Sequence, residues 1–275
     1  SITMGRRSGG SIRCPGGRWE ARACGPVKPA HVMGSLAFTR GIRDGYVRDL
    51  EHPDHPLGGD DLTAARGQVR VVFDPRTNLL VSSDVTHQGA PLLAFNKVLA
   101  VKPGFQIDNP ADPLEVRTSV AGWNHTLQYG AAARLTRALT PATTLDSLTA
   151  YRKLDYEFVT DADITELDLL TFHQHEQQHQ LSEEIVVSHE QPRLTWIGGL
   201  FFFAETDRQS LLGDQPPSRA QVRLLPRVDA NSRAAFAQAS VGLTSQLSAT
   251  AGVRYTHERK EIDNAGGRYS LNDPA

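Results

Sequence analysis

The sequence predicts an all-β protein, an antiparallel up-and-down segment of a transmembrane β-barrel with long outer loops and short periplasmic turns. Three observations lead to this fold class: side chains alternate with period two, short and long connections alternate, and no apolar run is long enough for a membrane helix. The 275 residues are 39% hydrophobic and have a mean hydropathy of −0.36. A helix needs about 20 apolar residues to cross a bilayer, whereas a barrel strand needs about 9–11 and turns every second side chain to a polar lumen. The composition therefore excludes a helical membrane protein and leaves β-barrels open.

Alternation is clearest between Leu247 and Glu258, where one side of an extended chain is apolar and the other is polar. The ranges 64–73, 79–86 and 147–158 behave alike, and in the last of them Leu148, Leu154, Tyr156 and Phe158 form the apolar side. Such segments recur along the chain and predict about nine strands.

The connections between these strands alternate in length. Short turns are predicted at 74–78, 140–142, 190–192 and 244–246, where turn-forming residues cluster. Long polar excursions are predicted at roughly 43–62, 90–125, 160–170 and 207–231, and the chain ends at Ala275 in a further predicted loop. Short turns on one rim and long loops on the other are typical of outer-membrane barrels.

Several stretches, in order, resemble the barrel strands of TonB-dependent receptors. They are Gly34–Leu50, Ser147–Arg152, Gln180–Ile185, Leu194–Phe202 and Gly252–Lys260. The resemblance implies part of a roughly 22-stranded barrel in the outer membrane of a Gram-negative bacterium. It also implies the energised uptake of a large nutrient, such as a ferric siderophore, cobalamin or a glycan, and no enzymatic activity.

The resemblance divides the chain into a poorly matching Gly- and Arg-rich segment at 1–30 and a partial receptor barrel domain at 31–275. We expect the family's plug domain, its TonB-contacting segment and a signal peptide to be missing from this sequence, so this polypeptide alone should not transport. Cys14 and Cys24 fit neither a disulfide scaffold nor a zinc ribbon, and they predict no role.

One motif points to different chemistry. His175, Glu176 and His179 form an H-E-x-x-H sequence, which on a helix would bind zinc and provide a general base. Residues 171–180 contribute only Phe172 to an apolar stripe, which argues against a docked helix. On a strand, the two histidines instead lie on one side, in line with Leu181. We therefore expect no catalytic residues, no metal and no cofactor, and retain a zinc metallohydrolase as the alternative, together with a weak surface metal site at these histidines.

Candidate ligand-binding residues follow only from the predicted lumen-facing side of the strands: Arg66, Arg70, Arg254 and Glu258. The 29 Lys and Arg residues are balanced by 31 Asp and Glu residues, which argues against a nucleic-acid partner. The partners that the resemblance implies are TonB, acting through the missing plug segment, the nutrient ligand, and outer-membrane lipid and lipopolysaccharide. A passive porin-like barrel and a soluble β-sandwich remain further alternatives.

Overall fold

The protein is described here by a computed structural model that covers residues 5–6, 16–29, 31–91 and 110–270. Cys14, the middle of the predicted 90–125 loop and the predicted C-terminal loop lie outside the described residues. The described part of the chain contains no helix of the length and apolarity needed to cross a membrane.

Ten long strands dominate the described part of the chain, in line with the roughly nine predicted from the sequence, and one of them lies within the segment 1–30. The elements are β1 (Gly5–Arg6), β2 (Gly16–Lys28), β3 (Val32–Arg43), β4 (Arg48–Asp49), β5 (Asp60–Asp74), β6 (Thr77–Pro91), β7 (Glu115–Val116), β8 (Trp123–Thr140), β9 (Thr143–Asp161), β10 (Thr171–Gln191), β11 (Leu194–Gln215), β12 (Ala220–Gly242) and β13 (Ser248–Ser270), with a single 3₁₀ turn at Pro216–Ser218.

Eleven of these strands form one sheet in the order β1-β2-β3-β5-β6-β8-β9-β10-β11-β12-β13, with every neighbouring pair antiparallel. The strands β4 and β7 pair with each other, parallel, in the long loops. Within the described residues β1 and β13 do not pair, so the sheet is open. The all-β, up-and-down fold class predicted from the sequence is confirmed.

The four predicted short turns are confirmed at one end of the sheet, where residues 75–76, 141–142, 192–193 and 243–247 join successive strands. The long loop predicted at 207–231 is wrong. There β11 continues to Gln215 and β12 starts at Ala220, joined by a tight turn in which Arg219 has a φ of 50°. Charged residues and the Pro216–Pro217 pair give this stretch the composition of a loop, although the backbones of the two strand ends are paired.

The pairing register sorts the side chains onto two faces. One face, here called the outer face, carries a belt of large exposed apolar side chains that runs across all ten long strands, and we call this the apolar belt. Its members include Trp19, Leu36, Phe38, Val69, Val81, Val85, Tyr129, Tyr151, Leu181, Trp196, Leu200, Phe202, Val253 and Tyr255.

The height of the apolar belt fits a bilayer. On β11 it runs from Leu194 to Ala204, and ten residues of a strand rise about 33 Å, or about 23 Å along the membrane normal at a tilt of about 45°. Outer-membrane barrels have an apolar band about 25 Å tall. Hydrocarbon around this belt removes a continuous apolar surface from water, which stabilises the sheet by about 25 cal/mol per Å² covered.

The opposite face, here called the inner face, is mainly polar. On β9 the apolar side that the sequence identified, with Leu148, Leu154, Tyr156 and Phe158, lies on the inner face, where Leu148 pairs with Arg134 and Tyr156 pairs with Glu176. The outer side of β9 is formed instead by residues such as Tyr151. A strand's own alternation shows that it has two sides, but its partners decide which side faces the lipid.

Candidate functional site: the inner face and the outer loops

A polar cavity of about 260 Å³ lies on the inner face and is lined by six strands, β5, β6 and β8 to β11. Its charged residues are Arg66, Asp84 and Arg152. Arg152 Nη2 lies 3.2 Å from Asp84 Oδ1, although β8 separates their strands. Arg66 is the register partner of Asp84 on the neighbouring strand. Two arginines and one aspartate therefore line the cavity, which leaves a net positive charge for an anionic ligand or a carboxylate of another segment.

The bridge across β8 is possible because the intervening position is Gly130, which is buried. A Cβ atom at Gly130 would lie 2.8 Å from the backbone oxygen of Tyr151 and 3.5 Å from Arg152 Nε. A Cβ this close to a backbone oxygen would push the β9 backbone away, and a side chain longer than a methyl group would enter the space between Arg152 and Asp84. The missing side chain of one glycine thus lets arginine and aspartate meet across an intermediate strand.

All four residues predicted to face the lumen lie on the inner face. Arg66 pairs with Asp84, Arg70 with Leu80, Arg254 with Phe236 and Glu258 with Ser232. Arg66 alone of the four lines the cavity described above. The guanidinium of Arg254 stands 5.8 Å from the ring centre of Phe236, and Glu258 accepts a hydrogen bond from Ser232. Their part in ligand binding stays a prediction.

The sequence did not predict Asp84, Arg152 or Gln180 as cavity residues, although Arg152 is the one charge in the apolar row of β9 that contains Leu148 and Leu154. That charge was a usable signal, since a charged residue within an apolar row indicates a polar surface on that side of the strand. Asp84 gave no such signal, because it alternates regularly with Val81 and Val85. Its role follows only from its pairing with Arg66 and its contact with Arg152.

The H-E-x-x-H sequence lies within β10 and not on a helix. His175 and His179 are on the outer face, where they pair with Glu157 and Lys153, while Glu176 is on the inner face opposite Tyr156. Four residues of a strand span about 13 Å, which is too far for two imidazoles to share one metal ion. The arrangement of a metallohydrolase is therefore not formed by these three residues.

The outer loops pack into a small layer of their own. Val47, Leu57 and Val116 form the buried apolar cluster of the described residues. Asp49 is fully buried beside it and accepts hydrogen bonds from the backbone N–H groups of Glu51 (3.1 Å) and Thr118 (3.3 Å) and from the Thr118 hydroxyl. Asp49 thus fastens the loop before β5 to the loop before β8.

A second buried carboxylate, Asp161, fastens the third loop. It accepts hydrogen bonds from the backbone N–H of Ser119 at 2.8 Å and of Ile164 at 2.8 Å. Burial raises the pKa of this carboxyl, which lies at the outer end of β9 beyond the apolar belt. Ile164 has a φ of 53°, unfavourable for a β-branched residue, and its N–H bond to Asp161 holds that conformation. The described parts of the three loops therefore form one layer held by two aspartates.

An antiparallel sheet with an apolar belt outside, polar groups inside and packed loops at one end defines a class, the outer-membrane β-barrel proteins. The chain belongs to the TonB-dependent receptor family: the family model described as "TonB dependent receptor-like, beta-barrel" matches residues 60–274. This family consists of outer-membrane transport receptors of Gram-negative bacteria that bind ligands such as siderophores and interact with TonB. The resemblance found in the sequence is confirmed.

Solved structures show the same fold at low sequence identity. The ferric yersiniabactin uptake receptor FyuA from Yersinia pestis matches with a TM-score of 0.70 and 13% identity, over 92% of this chain and 41% of that one. The ferripyoverdine receptor of Pseudomonas aeruginosa matches with a TM-score of 0.63 and 11% identity, over 94% and 37%. The ferric-catecholate import receptor Fiu from E. coli K12 matches with a TM-score of 0.56 and 7% identity, over 93% and 46%.

The chain therefore spans less than half the length of these three receptors. No curated protein matches it.

Proposed function

We propose that this chain forms part of the wall and outer loops of a receptor that imports a large nutrient across an outer membrane, energised by TonB through a plug segment. A ferric siderophore is the first ligand class to test, with cobalamin and glycans as the other classes. The proposal rests on the difference between the two faces of the sheet. The outer face carries the apolar belt, which suits contact with lipid and lipopolysaccharide, and the inner face carries the cavity lined by Arg66, Asp84 and Arg152.

The inner cavity supports a role in holding an anionic partner. Each of its two arginines has a planar guanidinium group whose N–H groups can donate two parallel hydrogen bonds to a carboxylate or another planar oxygen anion. The cavity contains only one carboxylate to balance their charge. Many siderophores bind iron through such oxygen anions, and a plug segment can present Asp or Glu side chains to the same groups. Both partners use the same chemistry, and the choice between them is made by experiment.

The proposal is tested with the complete gene product that carries this chain, produced in a Gram-negative host that lacks its own siderophore receptors. We expect the host to accumulate radioactive iron from at least one ferric siderophore, and we expect accumulation to stop when TonB is deleted. A parallel measurement with cobalamin and with labelled oligosaccharides covers the other ligand classes. Accumulation that is the same with and without TonB would instead show a passive porin and would contradict the proposal.

A further inference from the structure

The outer face carries a second group of chemically active side chains, above the apolar belt and away from the inner cavity. Asp155 and Glu157 on β9 and His175 on β10 each present one ligand atom, and these atoms all lie within 4.8 Å of one another. His175 is the register partner of Glu157, and Asp155 lies two residues along the same face. The alternation of β9 puts Asp155 and Glu157 on one face, and the pairing with β10 brings His175, which follows later in the chain, beside them.

We propose that Asp155, Glu157 and His175 bind a divalent transition-metal ion, with Zn²⁺ as the representative probe. His175 Nε2 lies 3.2 Å from Asp155 Oδ1 and 3.7 Å from Glu157 Oε1. Two ligand atoms that are each about 2.1 Å from a tetrahedral metal are about 3.4 Å apart. Both His175 distances lie near this value, and the two carboxylate oxygens lie within 4.8 Å of each other, so rotation of the carboxylate side chains towards His175 completes a three-atom metal site.

The charge of the group favours a cation. Two carboxylates flank one imidazole, and the neutral imidazole that binds a metal leaves a charge of about −2 to be balanced. Lys153 and Arg208 border the group on the same face, but within the described part of the chain neither forms an ion pair with Asp155 or Glu157. One imidazole with two carboxylates is a ligand set that suits zinc and neighbouring transition metals better than magnesium.

A further imidazole adjoins the group. His125 on β8 is the register partner of Glu157 on the side away from His175. Its Nε2 atom approaches Nε2 of His87 on β6, and the two rings meet edge to face at 4.4 Å between their centres. The register therefore places His125 next to Glu157 on the same face, where it is a candidate for the fourth ligand.

The position of the site separates it from ligand transport. Asp155 lies four residues beyond Tyr151 of the apolar belt, which is about 13 Å along the strand towards the end that carries the long loops. It faces away from Arg66 and the inner cavity. The site therefore differs from the proposed nutrient site, and its metal is bound whether or not the receptor imports siderophores.

The test uses the complete chain in detergent micelles, stripped with chelator and titrated with Zn²⁺ by calorimetry, with Mg²⁺ as the comparison ion. We expect one Zn²⁺ per chain and no comparable heat with Mg²⁺. His175→Ala and Asp155→Asn should each weaken Zn²⁺ binding by about tenfold or more, since even groups that only support a ligand have effects of that size. Circular dichroism of each variant must show an unchanged β signal. If His175→Ala loses that signal, His175→Gln takes its place.

His173→Ala is the matched control. His173 lies on the same face of the same strand, 3.4 Å from the carboxylate of Asp214, but it belongs to a pair and not to a group of three. Zinc binding unchanged by His173→Ala and lost with His175→Ala supports the proposal. Absence of stoichiometric zinc in the folded chain, or equal loss in both variants, overturns it.

Discussion

Replacing Gly130 by alanine tests whether the inner cavity depends on the missing side chain in β8. The new Cβ would lie 2.8 Å from the backbone oxygen of Tyr151, about half an ångström closer than an ordinary contact, and a neighbouring backbone cannot rotate away as a side chain can. Relief of such overpacking typically costs about 1–3 kcal/mol of the free energy of unfolding. The free energy of unfolding falls by about 1–3 kcal/mol for each molar of urea, so the urea concentration at the unfolding midpoint should fall by roughly 1 M.

The measurement is urea unfolding in lipid vesicles, followed by far-ultraviolet circular dichroism. Gly41→Ala is the control, because Gly41 lies on the inner face of β3 and its Cβ would meet only Leu62 Cβ at 3.9 Å, an ordinary contact. We expect the midpoint of Gly41→Ala to stay near that of the parent. An unchanged midpoint for Gly130→Ala, or an equal fall for both variants, would refute the reasoning from the close contact.

Three further substitutions test the belt, the cavity and the loop layer. Ile185→Arg puts a charge into the apolar belt, and we expect a loss of about 2–4 kcal/mol in the free energy of unfolding from vesicles. Arg152→Glu reverses one charge of the cavity, and we expect weaker binding of an anionic ferric chelate by the complete receptor, with the difference shrinking at high salt. Asp49→Ala leaves the Glu51 and Thr118 donors without their acceptor, and we expect about 1–3 kcal/mol less loop stability and faster cleavage by added protease.

Each of these substitutions has a control in the same region. Glu184→Arg places the same charge on the inner face beside Ile185, so equal destabilisation would argue against the assignment of faces. Arg134→Glu changes an inner-face arginine paired with Asp146, outside the cavity, and a matching loss of chelate binding would point to charge in general and not to the cavity. Asp54→Ala alters an exposed loop carboxylate, and protease sensitivity equal to that of Asp49→Ala would remove the special role of Asp49.

The fold class could be predicted from the sequence because the alternation of apolar and polar side chains is a local property. The row from Leu247 to Tyr255 needs no partner to show an apolar and a polar side, and Pro141 and Pro192 mark turns by their own backbone limits. The same local reasoning placed His175 and His179 on a strand and on one side of it, as observed. Family membership was also readable, since an ordered set of strands resembles the family even where no single motif is specific.

Other features required the partners of each strand. The residues near Gln215 were predicted to form a loop, whereas their pairing with β12 shows that β11 continues to this point. Phe158 on β9 lies inside and not outside because the register with β8 and β10, not the strand's own pattern, sets its direction.

The sequence by itself determined that this chain forms long antiparallel strands with an apolar and a polar side. Tertiary structure alone decided which side chains meet. Arg152 reaches Asp84 because Gly130 leaves a gap between them, and His175 meets Asp155 because two strands pair in one register. The physical reason is that alternation is fixed by the geometry of a single extended backbone, whereas a binding site depends on distances between backbones that only the folded sheet sets.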